Sequence, residues 1–325
     1  MALGEFALIE QFFASLGSAR GDVRLGVGDD GAVLRPVPGF DLIAVSDTLV
    51  EGVHFPTGSA PDSIGHRALA VNLSDIAAMG ATPAWALLAL TLPQADADWL
   101  AGFARGFGAL ARRHGVSLVG GDTTRGALMI SVQVLGMVPP GTELRRSGAQ
   151  AGDEIWVSGS PGEASAGLAR LATASALEPL SQRFLFPTPR LALGDRLRGI
   201  ASACIDISDG LAGDLAKLAA ASGVRAELDA ARLPVSSLLL GACGPVEARE
   251  RLLGGGDDYE LLFTVPPAKR DALEVARATL DAVDAVQLTA IGMVRAAEAR
   301  RVGRVELIES GRAVVLGATG FDHFA

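Results

Sequence analysis

The chain has 325 residues, 49% of them apolar, with a mean hydropathy of +0.35 and a formal net charge of −9. Such a length allows two domains and a large buried core, while the acidic balance argues against nucleic-acid binding, which calls for a basic patch. No apolar run approaches the ~18 to 20 residues of a membrane span, and Cys204 and Cys243 fall in no CxxC pattern, so neither a disulfide framework nor a thiolate metal site is expected.

The N-terminal segment carries acids where a secretory signal would be basic, which gives the expectation of a cytoplasmic protein. Phe6, Ile9, Phe12 or Phe13 and Leu16 recur at helical spacing and predict an amphipathic helix over residues 4–16. Next comes Gly26-Val27-Gly28-Asp29-Asp30-Gly31. Its GxGxxG spacing is that of a dinucleotide fingerprint, but that motif must open a helix whose N-terminus receives pyrophosphate. Residues 32–36 instead predict a strand ending at Pro36, and two bare aspartates would repel a pyrophosphate. Two readings stay open: an Asp-Gly turn in a hairpin, or a carboxylate-bearing turn for a hard divalent cation, which takes oxygen ligands.

Residues 42–47 predict a strand whose end supplies Ser46 and Asp47; a loop with His54 follows, and Pro61 opens a helix to about Met79. On that helix Ala68, Asn72, Asp75 and Met79 share one stripe. Asp75 lies mid-helix, too late to cap it, among Leu73, Ile76 and Ala77. A solvated carboxylate is the plain reading, but burial there without a partner would be costly, which makes Asp75 a candidate ligand. Residues 86–92 predict a strand, in an apolar run closed off by Pro83 and Pro93. Trp99, Phe103 and Phe107 predict a helix packed in the core. Residues 116–119 predict a strand ending in Gly120-Gly121-Asp122, which places Asp122 just past a strand end, where open α/β sheets bind ligands, or else in an ordinary turn. A long strand over 128–138 and the Pro139-Pro140-Gly141 break predict domains 1–140 and 141–325.

The second half opens with Arg145-Arg146-Ser147-Gly148 and a predicted strand over 154–158, followed by an alanine-rich helix and another over 191–197. A strand over 203–207 runs into Asp206-Ile207-Ser208-Asp209-Gly210 and a helix to about Ala221. Ser208 or Asp209 could be its N-cap; Asp206 could not. EF-hand spacing does not fit. Gly254-Gly255-Gly256-Asp257-Asp258-Tyr259-Glu260 repeats the pattern of glycines then acids before a strand over 261–265, and a helix (267–280) and three short strands finish the chain. Strands and helices mix without a regular βαβ repeat, so the expected class is α+β.

The only lysines are Lys217 and Lys269, so a P-loop is absent, as are HRD, DFG, GxSxG and HExxH motifs. Asp29, Asp30, Asp47, Asp75, Asp122, Asp206 and Asp209 sit mostly at turns or strand ends, and the short aspartate side chain suits octahedral Mg2+. The economical expectation is that they converge on several divalent cations, which let an acidic pocket hold the phosphates of a nucleotide. Arg146 could reach those phosphates bidentately, or be a solvated surface arginine.

The segments GVGDDGA, VSDTLVEGVHF, ALAVNLSDIAAMGATP, LVGGDTTRG, RRSGAQAGD, IDISDGL, GGGDDYEL and GFDHF together resemble bacterial thiamine-monophosphate kinases, of the aminoimidazole ribonucleotide synthetase-like superfamily, over nearly the whole chain and in order. The resemblance implies two α/β domains, the N-terminal one forming a β-barrel across a homodimer, with ATP bound between them. It implies transfer of the γ-phosphate of ATP to thiamine monophosphate, giving thiamine diphosphate. It further implies Mg2+ ligation by Asp30, Ser46, Asp47, Asp75, Asp122, Asp206 and Asp209, ATP contacts by Gly121, Asp122, Arg146 and Ser208, and substrate contact by His54. The chain departs from the pattern at Asp257, where the family usually has glutamate, and around Ala318, where an aromatic residue is replaced and Phe321 would stand in. Relatives of other activity are disfavoured: a selenophosphate synthetase would carry a reactive cysteine in an N-terminal glycine-rich segment. An aminoimidazole ribonucleotide synthetase-like enzyme and a non-catalytic nucleotide-binding module are the alternatives.

Overall fold

The computed structural model describes residues 4–173, 175–176, 178–280 and 284–316. The chain divides into two units, the first built from residues up to Ile76 and Ala81–Gly141, the second from Ala77–Gly80 and the chain from Thr142 onward. No helix among the described residues is long and apolar enough to cross a membrane.

The first unit runs α1 (Glu5–Phe12), β1 (Val23–Leu25), β2 (Val33–Leu34), β3 (Asp41–Val50), α2 (Pro61–Ala78), β4 (Thr82–Leu92), α3 (Ala97–Arg113), β5 (Ser117–Arg125) and β6 (Met129–Val138). Its main sheet has the order β3-β6-β4-β5. β6 pairs antiparallel with β3 and β4, and β4 and β5 are parallel, as the crossover through α3 requires. Leu88, Leu90 and Leu92 are buried while Leu87, Ala89 and Thr91 are partly open, and Ile130, Val132 and Val134 alternate likewise on β6. One sheet face therefore packs in the core and the other stays partly open, the pattern of an antiparallel sheet covered on one side. α3 starts where Asp96 caps it by accepting from the N–H of Asp98 and Trp99 at 2.9 and 3.1 Å. As expected it is a core helix, with Phe103 and Phe107 fully buried and Trp99, Phe103 and Phe107 stacked in series. A Cβ on Gly65 of α2 would lie 2.1 Å from the Phe103 carbonyl oxygen, and one on Gly106 of α3 1.8 Å from that of Asp62. The two helices thus touch backbone to backbone.

Several bounds differ from the sequence expectation. α1 stops at Phe12, with Phe13 and Leu16 buried beyond its end. β4 starts at Thr82, ahead of the expected Ala86, and takes in Pro83. Pairing with β5 begins only at Trp85, and the register to β6 is irregular between Pro83 and Trp85, so the missing proline N–H costs no ladder bond.

The second unit runs β7 (Glu154–Ser158), α4 (Glu163–Arg170), α5 (Pro179–Leu185), α6 (Leu191–Leu197), β8 (Ala203–Asp206), α7 (Leu211–Ala221), β9 (Val224–Asp229), α8 (Ser237–Gly254), β10 (Leu261–Val265), α9 (Arg270–Ala278), β11 (Leu288–Ala296), β12 (Val305–Glu309) and β13 (Arg312–Val315). These strands form one sheet of order β13-β12-β9-β11-β7-β10-β8, antiparallel throughout except between β9 and β12. Ile155, Val157, Ile205 and Leu262 from its strands and Leu211 and Leu215 from α7 share one buried core. β9 and α8 have no counterpart in the sequence expectation. On β9, Arg225 and Glu227 stand between buried residues and pair with each other; in α8 the helical period breaks at Gly244 (φ 77°, ψ 173°) and Pro245.

Candidate functional site

In the first unit the acidic glycine segment is the loop of a hairpin, since Val23 pairs with Leu34 and Leu25 with Val33. The hairpin reading of the segment holds, and its loop carries Asp29 and Asp30. Gly28 has φ +115°, which a side chain would resist. Asp29 Oδ1 accepts from the Asp30 N–H at 2.8 Å, fixing the first carboxylate against the loop backbone. Asp29, Asp30, Asp122 and Gln133 line one cavity of about 670 Å3, whose apolar part includes Phe6 and Ile9 of α1. A concavity lined by both carboxylates and apolar side chains suits a ligand with a charged end and a ring.

Asp122 lies within β5, paired with Ala89, and not beyond the strand end as expected; Gly121 beside it has φ +148° and would put a Cβ 1.8 Å from the Leu88 carbonyl oxygen. The glycine pair serves a close approach of β5 to β4 in place of a turn. Ser46 and Asp47 likewise lie inside β3, which continues to Val50. They fall on opposite sides of the pleat. Ser46 is exposed and accepts from Gln133 Nε2 at 3.4 Å, whereas Asp47 is in register with Ile43, Val45 and Leu49, the more covered positions of the strand. The Asp47 N–H donates to Asn72 Oδ1 on α2 at 3.1 Å, and Asp75, half-buried, follows one turn later. In the turn after β3, the His54 N–H donates to the Val50 carbonyl at 2.9 Å and its Nδ1 accepts from the Val50 N–H at 3.0 Å. Nδ1 therefore carries no proton, and the neutral ring has its N–H at Nε2.

In the second unit Asp206 ends β8, 5% exposed, opposite Leu261 of β10. The ladder continues past it: Tyr259 N–H to Ile207 O and Asp257 N–H to Ser208 O are both 2.8 Å. The loop bearing Asp257 and the segment bearing Asp206, Ser208 and Asp209 thus run side by side. Asp257 and Tyr259 are held at φ +63° and +52°, strained values for residues with side chains, of the kind that cluster at functional sites. Between them Asp258 accepts from the N–H of Gly162 and Ala164 at 2.8 and 3.3 Å, holding the start of α4; desolvation raises its carboxyl well above the ordinary range against those two bonds. Neither Ser208 nor Asp209 caps α7. Gly210 holds that position, and Asp214 in the first turn reaches back to accept from the N–H of both, at 3.0 Å each. Lys217 joins Asp209 to Asp214. Arg146 is exposed, its carbonyl accepting from Ser222 Oγ at 3.1 Å. Ala318 and Phe321 lie outside the described residues.

Among the described residues no three His, Cys, Asp or Glu side chains stand close enough to hold a metal ion by themselves. The donors around the first-unit cavity are nonetheless carboxylate, amide and hydroxyl oxygens, the set that a hard cation requires. Mg2+ is ordinarily held by one or two carboxylates together with substrate phosphates and water, and this donor set fits that mode.

Residues 28–138 match the family AIR synthase related protein, N-terminal domain, and residues 150–304 its C-terminal domain. Over its full length the chain is 45% identical to the thiamine-monophosphate kinase of Salmonella typhimurium and covers 99% of it. The chain belongs to the thiamine-monophosphate kinase family. The crystal structure of the family member from Stenotrophomonas maltophilia K279a is 46% identical and superimposes with a TM-score of 0.84 over 97% of this chain and 99% of that one. A second member, AaThiL complexed with AMPPCP and TMP, is 31% identical with a TM-score of 0.76 over 100% and 99% of the two chains. The two-domain α/β fold of the family is the fold of this chain.

Within the family pattern, sequence reasoning assigned no role to Asn72, Gln133 or Asp214. Asn72 carried a signal, its i, i+3 spacing from Asp75. Gln133 and Asp214 carried none, because their partners lie across a sheet and before a helix start.

Proposed function

We propose that this protein transfers the γ-phosphate of ATP to thiamine monophosphate, giving thiamine diphosphate, in the cytoplasm. The observation that carries the reading is the cavity lined by Asp29, Asp30 and Asp122 together with apolar side chains, in a chain that aligns end to end with thiamine-monophosphate kinases.

The attacking group is an oxygen of the substrate's own phosphate, already substantially ionised near neutral pH, so the chain needs no strong general base. The obstacle is repulsion between two polyanions, and positioning plus charge neutralisation is how phosphoryl transfer is generally catalysed. Asp30, Ser46, Asp47, Asp75, Asp122, Asp206 and Asp209 are the residues that would hold Mg2+. When bound, Mg2+ supplies charge neutralisation and alignment of the phosphates. Gly121, Asp122, Arg146 and Ser208 contact ATP, with the Arg146 guanidinium suited to pair two phosphate oxygens. His54 donates from Nε2 to the substrate and does not take its proton, in keeping with an Nδ1 already engaged by the Val50 N–H. Asp257 and Phe321 complete the substrate contacts.

The working form is a homodimer in which the four-stranded sheets of two copies close into a β-barrel. What supports this is the place of β3 at the end of the sheet, where Leu42 is 50% and Phe40 beside it 42% exposed, and the partly open face of the same sheet.

The test is one incubation of purified protein with ATP, Mg2+ and thiamine monophosphate, with products identified by mass. Thiamine diphosphate and ADP in equal amounts are expected. Inorganic phosphate without thiamine diphosphate would point to an amide-activating relative, and unchanged ATP to a non-catalytic module.

A further inference from the structure

We propose that Asn72 is a positioning residue of the phosphoryl-transfer site: its carboxamide fixes the backbone of Asp47 to helix α2, so that Asp47 and Asp75 keep one separation as Mg2+ binds. This inference rests on the kinase reading above.

Asn72 is fully buried, in a helix whose other core positions are mostly small or aliphatic. A buried amide is costly unless both ends are bonded. Here Oδ1 accepts from the Asp47 N–H at 3.1 Å and Nδ2 donates to the Ala68 carbonyl at 3.0 Å. The orientation is therefore fixed, because a flipped amide would set donor against donor and acceptor against acceptor. The bond also answers a need of the strand. β3 is an edge strand with β6 on one side only, and alternate N–H groups of such a strand have no ladder partner. The one at Asp47 is taken by Asn72. Three residues along α2, on the same side, comes Asp75. Two acids assigned to the metal thus sit on different elements, and Asn72, one turn before Asp75, bonds its own element to the backbone of Asp47 on the other.

Apart from holding the strand, the carboxamide supplies this tie without charge. An aspartate in its place could accept from the Asp47 N–H but could not donate to the Ala68 carbonyl, and it would add a third negative charge; an alanine there would take the acceptor from a half-buried N–H. The experiment compares Asn72→Ala and Asn72→Asp with Leu73→Ala, a fully buried neighbour on the same helix that touches no proposed ligand role. Two readouts are taken: the Mg2+ concentration for half-maximal turnover, and the rise in Tm that Mg2+ with a non-hydrolysable ATP analogue produces. Both Asn72 variants are expected to need about tenfold more Mg2+ and to lose most of the Tm rise, while Leu73→Ala lowers the basal Tm and leaves both readouts at parent values. The inference is overturned if folded Asn72 variants keep the parental Mg2+ dependence, if Leu73→Ala shifts it equally, or if both Asn72 variants fail to fold, which would assign the residue to folding alone. A parent protein without kinase activity would instead strike the underlying reading, and the Tm readout keeps the two failures apart.

Discussion

At the scale of single residues, the clearest electrostatic feature of the first unit lies away from the cavity. Arg20 donates to both oxygens of Asp22 at 2.9 and 2.6 Å, Trp85 Nε1 donates to Oδ1 at 3.1 Å, and the Arg20 guanidinium carbon lies 5.6 Å from the centre of the Trp85 ring. The Arg20 bond holds the Asp22 carboxyl below the ordinary carboxylate range. A carboxylate depressed in the folded state stabilises above its unfolded pKa, ~3.9, and the contribution is lost as pH falls through the lower folded value. Asp22→Asn should therefore cost about 1–2 kcal/mol near neutral pH, read as a lower Tm, with the deficit shrinking below about pH 4. An equal deficit at both ends of that range would contradict the assignment. In the second unit Asp258→Ala should lower Tm by removing the acceptor for Gly162 and Ala164, a loss of about 1 kcal/mol or more; an unchanged Tm would show that α4 needs no such acceptor. Legibility at this scale was uneven. Acids beside glycines announce themselves in sequence, and Asp29, Asp30 and Asp122 do share a cavity. Their exact setting did not, because Gly121 looks the same whether it serves a turn or a backbone contact between strands. Asp209 and Asp214 show the same limit: both precede or begin α7, and only the fold shows which one takes the N–H groups.

At the scale of elements, the sequence was most readable where one period ran without interruption. α2 and β6 lie close to their predicted spans, and α3 carries the predicted aromatic stripe, since each buries a continuous stripe or alternating face. β9 and α8 were hidden for opposite reasons: charged residues at the outward positions of β9 dilute its hydrophobicity, and Gly244-Pro245 splits the period of α8. The contact of α2 with α3 is the element-scale feature most open to test. Because a Cβ on Gly106 would meet the Asp62 carbonyl carbon at 2.7 Å as well as its oxygen, Gly106→Ala must separate the helices. A loss of about 3 kcal/mol is expected by denaturant titration. A variant as stable as the parent would show that no backbone contact exists there.

At the scale of the whole molecule, the edge strand and half-open sheet of the first unit are a liability in a lone chain. The proposed pairing of two copies would remove it. Sedimentation should give twice the 33.3 kDa chain mass, and Leu42→Lys, which sets a charge into an exposed apolar position of β3, should shift the protein toward monomer. A monomeric parent would refute the barrel. The same scale carries the central claim, that this fold gathers carboxylates to bring two phosphate-bearing reactants together with Mg2+. Its most direct measurement is the turnover of Asp122→Asn with ATP, Mg2+ and thiamine monophosphate, on protein whose Tm matches the parent. The account predicts a fall on the order of a hundredfold or more; near-parental turnover by that folded variant would contradict it.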